Sequence, residues 1–412
     1  MSSILKYILL YFTPLVYWGF YHYVGFNPTY AVYVVMIYTV LLLMYLFPTI
    51  FKRYNRFSYS WYLKGIICII LFSMLMAFVF WGQSMLLTYR ATVYQFAFLY
   101  YFILLKFRVT PKEIVSILFF FGVIYVILWG VAVLNAPIPV FSDEDEIDNT
   151  RGTFRIIINS LDIILLLYCY TLVWIQQRYH LPLSIVSMLT CVVLLFTSLT
   201  RSIMASLLLV TCLFILLRTS KKTKFVFFIL LFISYPLINS WIANNDTINA
   251  ISQLNEKQFS DFSEDNSSTR ISEYRIGFLE YKRNPITFLF GSGWAHGHSD
   301  YGQYEKQLLD RYNFNRSDAG YPSIFVSYGL VGLLLFLGLF FKVFKDKSGG
   351  GFNQYKMYII VIAAINVLQD ATSWYAIATC IAVYMLERER LSNLSLREPS
   401  ITENQLIQIG KV

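Results

Sequence analysis

The chain has 412 residues, of which 57% are hydrophobic, 18% aromatic and only 14% charged. A soluble domain of that composition would expose large apolar patches, so an ordinary water-soluble globular fold is excluded. The net charge of +9 is spread over short connections between apolar runs and builds no basic face on a folded domain, so nucleic acid is not an expected partner.

Runs long enough to cross a bilayer recur from end to end, about twelve in all. They lie near 5–20, 30–51, 62–81, 91–105, 114–134, 157–175, 183–199, 203–217, 225–239, 322–341, 357–370 and 373–386. The expected fold is an all-α integral membrane protein of about twelve transmembrane helices, with one large outer (periplasmic) loop carrying short helices. The expected organisation is N-terminal helices over 1–134, an outer loop over 135–156 and central helices over 157–239. A large outer loop over 240–321, C-terminal helices over 322–386 and a tail over 387–412 follow.

The first run carries Lys6 before its apolar stretch and no small-residue cleavage site, which predicts a retained span. Lys and Arg then collect in alternate loops: Lys52, Arg53 and Arg56; Lys106, Arg108 and Lys112; Arg218, Lys221, Lys222 and Lys224; Lys342, Lys345, Lys347 and Lys356. By the positive-inside rule this set is cytoplasmic, and so are both termini. Trp18, Trp61, Trp81, Trp174 and Trp241 fall near run ends, where an indole suits the headgroup level.

The loop at 135–156 holds Asp143, Glu144, Asp145, Glu146 and Asp148, followed by Arg151 and Arg155. These arginines either pair locally with the acids or serve a site. Asp162 and Asp370 stand at the edges of spans, as proton acceptors, sugar-binding groups or buried structural carboxylates. Arg201 lies in Ser198-Leu199-Thr200-Arg201-Ser202, between two spans with almost no loop. An arginine there either snorkels to headgroups or meets an anion.

The stretch 240–321 is far longer than an ordinary connection, which points to a functional or independently structured element. Asn244 to Ser268 is polar. Residues 270–283 have helical spacing, with Ile271, Tyr274, Phe278 and Tyr281 as one apolar stripe and Arg270 and Arg275 on the helix. Asn284-Pro285 stops that helix, Gly291 and Gly293 permit a tight turn, and Glu305 to Tyr312 can form another short helix. His296-Gly297-His298-Ser299-Asp300 invites a zinc reading, but no third or fourth ligand follows at a characteristic spacing. Gly291-x-Gly293 follows no βαβ pattern and is no dinucleotide fingerprint. The five cysteines, Cys68, Cys169, Cys191, Cys212 and Cys380, all sit in apolar runs and read as small buried apolar residues rather than disulfide or metal ligands.

Four segments together resemble the O-antigen polymerase and O-antigen ligase superfamily. They are Arg151-Gly152-Thr153-Phe154 with Asn159; Leu199-Thr200-Arg201-Ser202; Arg270 through Pro285 to Gly291-Ser292-Gly293; and Asp318-Ala319-Gly320-Tyr321 with Tyr328-Gly329-Leu330-Val331-Gly332. Their order and spacing cover most of 150–340. Ligases of the superfamily usually carry histidine followed by asparagine at the loop exit. Here that place reads Ser317-Asp318, which looks more like a Wzy-type repeat-unit polymerase.

The resemblance implies a GT-C-like glycosyltransferase that works without metal or other cofactor at the outer face of a bacterial inner membrane. Its substrates would be undecaprenyl-diphosphate-linked oligosaccharides within membrane lipid, and its partners a chain-length regulator and a flippase. Arg201, Arg270 and Arg275, then Arg151 and Arg155, would hold the diphosphate, because a guanidinium makes bidentate phosphate contacts. Asp318, with His298 in reserve, would accept the proton of the attacking hydroxyl. Trp294 and Tyr321 would stack on sugar rings. A ligase passing finished glycan to lipid A core or protein is the alternative. A flippase or transporter fits less well, since it more often has short loops and internal repeats.

Overall fold

A computed structural model of the protein describes residues 2–25, 27–52, 59–135, 140, 147–148, 155–156, 158, 161–197, 201–222, 224–225, 269–281, 284–312, 314–346, 353–367, 369–370 and 375–397. The ninth apolar run, Trp241, the polar stretch 244–268, and Arg151 through Phe154 lie outside the described residues, as does the tail from 398.

The regular elements among the described residues are helical apart from one two-residue ladder, Ile147–Asp148 (β1) against Arg155–Ile156 (β2), with Asp148 opposite Arg155. The helices are α1 (Ser2–Tyr17), α2 (Pro28–Phe51), α3 (Ser60–Trp81), α4 (Met85–Thr92), α5 (Tyr100–Phe107), α6 (Pro111–Asn135), α7 (Leu161–Gln177), α8 (Leu181–Thr197) and α9 (Arg201–Arg218). The short helices α10 (Thr269–Arg275), α11 (Pro285–Phe290) and α12 (Asp300–Tyr312) precede α13 (Tyr321–Lys345), α14 (Gln354–Ile365) and α15 (Ala376–Arg397). By length and composition α2, α3, α6 and α13 can cross a membrane, and α1, α7, α8, α9 and α14 are shorter apolar helices beside them. Met44, Phe47, Trp61, Val79 and Phe344 all face outward. This is a membrane-embedded protein whose backbone donors are satisfied within each helix, as lipid requires.

Packed neighbours joined by short turns alternate in direction. Trp81, Leu161, Arg201 and Tyr321 therefore share one end of the bundle, the loop end, and Phe107, Arg218 and Lys345 share the other. The run expected as a span at 91–105 is broken: a 3₁₀ stretch, Val93–Leu99, separates α4 from α5. Its residues are core rather than lipid-facing, from Phe96 to Leu104. Two further expectations are corrected. Trp18 is buried in the protein with its ring edge-on to Phe121 at 4.8 Å, not half-exposed as a headgroup anchor would be. Cys68 is exposed on α3, although Cys169, Cys191 and Cys380 are buried; all five thiols are free.

Helix α13 is interrupted at Gly329, where φ is 67° and ψ −171°. Such an interruption removes the N–H groups that Val326 and Ser327 carbonyls would otherwise accept from. The N–H of Ser292 donates to Val326 O at 2.8 Å, and that of Gly293 to Ser327 O at 3.0 Å. A Cβ at Gly291 would lie 2.1 Å from Ser327 O, at Gly293 2.5 Å from Ser73 O, and at Gly329 2.3 Å from Leu289 O. The expected tight turn is thus a strip of backbone pressed between α3 and α13. Glycine is needed there because a side chain has no room.

Candidate functional site

The described part of the long loop forms a cap on the loop end. Helix α10 runs into a π-helical turn, Ile276–Glu280, closed by Tyr281 N–H on Ile276 O at 2.7 Å. The expected stripe holds in part: the Tyr274 ring lies 5.8 Å from Phe278, whose ring meets Phe325 at 5.2 Å, and Tyr281 is buried. Ile271 is 61% exposed, while Glu273, Ile276 and Gly277 face inward with Tyr281. Asn284-Pro285 opens a helix rather than merely ending one. Asn284 Oδ1 accepts from Ile286 N (2.9 Å) and Thr287 N (2.8 Å), Thr287 Oγ1 accepts from Asn284 N (3.0 Å), and Pro285 fills the first helical position. Helix α12 starts at Asp300, five residues before the expected Glu305.

Gln83 joins the cap to the α3–α4 junction. Its buried amide accepts from His296 N (2.8 Å) and Ser299 Oγ (2.7 Å) and donates to Trp294 O (2.9 Å) and Thr88 Oγ1 (3.0 Å). A buried amide with donors and acceptor all used costs little to bury and holds the 294–299 segment.

Arg316 is the centre of the cap and was not among the expected residues. Its Nη1 donates to Gly293 O at 2.7 Å, and its Nη2 donates to Tyr281 OH at 2.9 Å and Tyr301 OH at 2.7 Å. It forms an ion pair with Glu305 and lies 5.3 Å from the Trp294 ring. Trp81 stacks on Tyr301 at 4.3 Å, which brings the end of α3 into the same cluster. Burial pushes the Glu305 carboxyl above its ordinary value, against the pull of the Arg316 guanidinium beside it. In sequence an arginine in Asn315-Arg316-Ser317-Asp318 reads like any solvated loop arginine. Only the convergence of four segments marks it.

Arg90 was also missed. It lies on α4, with its guanidinium 5.9 Å from the Tyr33 ring, and no carboxylate among the described residues pairs with it. Burial, then Arg90, then His298 hold the His296 imidazole below its ordinary pKa.

The expected residues are distributed over this end. Arg201 opens α9, Arg270 lies in the first turn of α10, and Arg155 lies on β2. Arg275 is exposed and pairs with Glu280 at 2.5 Å, neighbours across the π-helical turn. Asp318 ends a 3₁₀ turn, Arg316–Asp318, half-buried, with Oδ2 accepting from Asn315 Nδ2 at 3.3 Å. His298 is exposed, and its N–H donates to His296 Nδ1 at 3.2 Å. Trp294 donates to Tyr328 OH at 3.0 Å, and Tyr321 OH donates to Ala363 O at 2.7 Å. Asp370 accepts from Ser323 Oγ at 2.7 Å, and buried Asp162 accepts from Ala378 N at 3.3 Å. Trp294, His298 and Asp318 therefore lie on strands of chain held by Gln83 and Arg316, whereas Arg275 lies across the π-helical turn and Tyr321 against α14. Among the described residues no three His, Cys, Asp or Glu side chains group as a metal site would need.

A cap of short helices on the loop end of an apolar bundle, with a carboxylate and cations at its edge, suits transfer chemistry on a membrane-bound substrate. Residues 186–337 match the model of the family described as O-Antigen ligase, consistent with the O-antigen polymerase/ligase superfamily. The match supports a membrane enzyme of the O-antigen polymerase/ligase type. It spans α8, α9, the cap and the first part of α13, and begins beyond Arg151 and Arg155. No curated protein matches the chain.

Proposed function

We propose that the enzyme is a polysaccharide repeat-unit polymerase acting at the outer face of the cytoplasmic membrane. It transfers a growing glycan from undecaprenyl diphosphate to a lipid-linked repeat unit. The observation that carries this reading is Ser317-Asp318 at the loop exit, in the place where ligases of the superfamily usually carry histidine followed by asparagine. Its turn is anchored through the neighbouring Arg316, so the carboxylate stands on a braced segment with an accessible face.

The acceptor hydroxyl attacks the anomeric carbon, Asp318 takes its proton, and the bond to the diphosphate oxygen breaks. The departing charge falls to arginines, Arg201, Arg270 and Arg275 first, with Arg151, Arg155 and Arg90 in support. No metal is required in this scheme, and elongation should persist in chelator.

Loss of the gene should leave single repeat units in place of long chains. Asp318→Asn should slow elongation by roughly 10²–10⁴ with substrate binding largely retained, since it removes a base and keeps the shape. A normal chain-length distribution in the deletion strain would refute the reading. The matched family's description favours one alternative, the ligase. Full chains stranded on undecaprenyl diphosphate in the deletion strain would select it.

A further inference from the structure

Helix α12 presents Tyr304, Gln307, Leu308, Arg311 and Tyr312 along one edge, the spacing that puts residues on a shared face. That edge stands against the π-helical turn, and between them lies a cleft of about 230 Å³. Buried Ile276 and Leu308 form its floor, and Glu280, Gln307, Arg311 and Tyr312 its exposed rim. Tyr304 closes the inner end, its ring 5.0 Å from Trp81.

This lining has the chemistry of a site for one sugar ring. An aromatic face beside an apolar floor suits the C–H face of a pyranose. The rim provides planar amide, guanidinium and carboxylate groups, which can engage vicinal hydroxyls in pairs. The volume is below the roughly 300–1,000 Å³ of sites for drug-sized ligands, so it admits a ring and not an extended chain. The π-helical turn gives a second, independent indication. It sets Glu280 on the cleft rim, paired with Arg275 outside the lining, and such turns are frequent at functional sites.

We propose that this cleft is a glycan subsite that holds one pyranose ring of the repeat unit. The proposal rests on the polymerase reading for the identity of the glycan, but its binding test does not depend on elongation.

The full chain in lipid nanodiscs should be given the single-repeat lipid isolated from a deletion strain. The variants are Tyr312→Ala, Gln307→Ala and Arg311→Ala, all exposed and outside the Arg316 cluster. KM for the repeat unit should rise roughly tenfold in each, the loss of about one contact, while kcat stays within about twofold. Saturation-transfer NMR with the oligosaccharide released from that lipid should detect contact with the wild-type chain and lose it in the variants. Unchanged KM in the variants, or a fall in kcat alone, overturns the subsite while leaving the polymerase standing. Absence of saturation transfer to the wild type also overturns it. Oligosaccharide contact that the variants abolish, in a wild-type chain that does not elongate, refutes the polymerase and supports the subsite.

Discussion

The two halves of the segment 291–299 are held in opposite ways. Residues 291–294 are gripped by backbone: Ser292 and Gly293 bond to the interrupted α13, Gly291 and Gly293 leave no room for a side chain, and Arg316 takes the Gly293 carbonyl. Residues 296–299 hang on the Gln83 amide and bring His296 towards Arg90. The first half uses its arginine as a hub, with both terminal nitrogens bonded to protein acceptors. The second half keeps its arginine without a carboxylate partner among the described residues. A guanidinium whose terminal nitrogens are held by the protein organises a fold, and one left open is available to an anion.

Breaking the first half should have the largest effect. Arg316→Ala leaves the Glu305 carboxylate without its cation, with Tyr281 OH as a remaining donor, and takes one of two donors from the Gly293 carbonyl, and should destabilise the protein by about 3–5 kcal/mol. The readout is thermal unfolding of the detergent-solubilised chain. Arg316→Lys should recover only part of that loss, since a point charge cannot serve acceptors spread around a planar fork. Gly329→Ala should cost about 2–4 kcal/mol, from the left-handed φ and the approach to Leu289 O. Gly130→Ala, where a Cβ meets nothing within 4 Å, is the control and should not lower stability. Equal behaviour of the two glycine variants would contradict the interlocked backbone.

The second half should yield smaller and more local changes. Gln83→Ala should cost about 1–3 kcal/mol and raise hydrogen exchange over 294–299 more than over 291–293. Arg90→Ala should alter stability by no more than about 0.5 kcal/mol, because no ion pair is lost. It should shift the His296 pKa upward, since the guanidinium is one of the groups that hold the imidazole below its ordinary value. An NMR titration of the histidine ring reads this directly, and an unchanged or lower pKa would separate Arg90 from His296.

Particular residues show how far sequence reading reached into this site. Asn284-Pro285 was legible as a helix boundary because capping and proline geometry are local. It was read as a stop, although the same signals also start a helix. Of the stripe Ile271, Tyr274, Phe278 and Tyr281, the last three pack against one another or the core and Ile271 is exposed, because which residues of a stripe find a partner depends on other segments, which no spacing count foresees. Asp318, His298 and Trp294 were singled out from their segments, and the cap does contain them. Arg316 and Arg90 were not singled out, because the groups that define them, Glu305, Tyr281 and Tyr301 for one and His296 for the other, lie on other segments of the chain.

The sequence by itself determined the membrane-embedded helical class, since apolar length and backbone satisfaction in lipid leave few alternatives. It also marked the last three of the four motif segments, which fall within the family match over 186–337. Tertiary structure decided which arginine is buried and which is open, and why Gly291, Gly293 and Gly329 are glycines. It also turned Gln83 from an inconspicuous residue after a span into the tether of the cap. The reason is physical: a propensity or a span is a sum over neighbours in the chain, whereas a guanidinium bonded to several segments or a backbone-to-backbone contact depends on groups that only folding brings together.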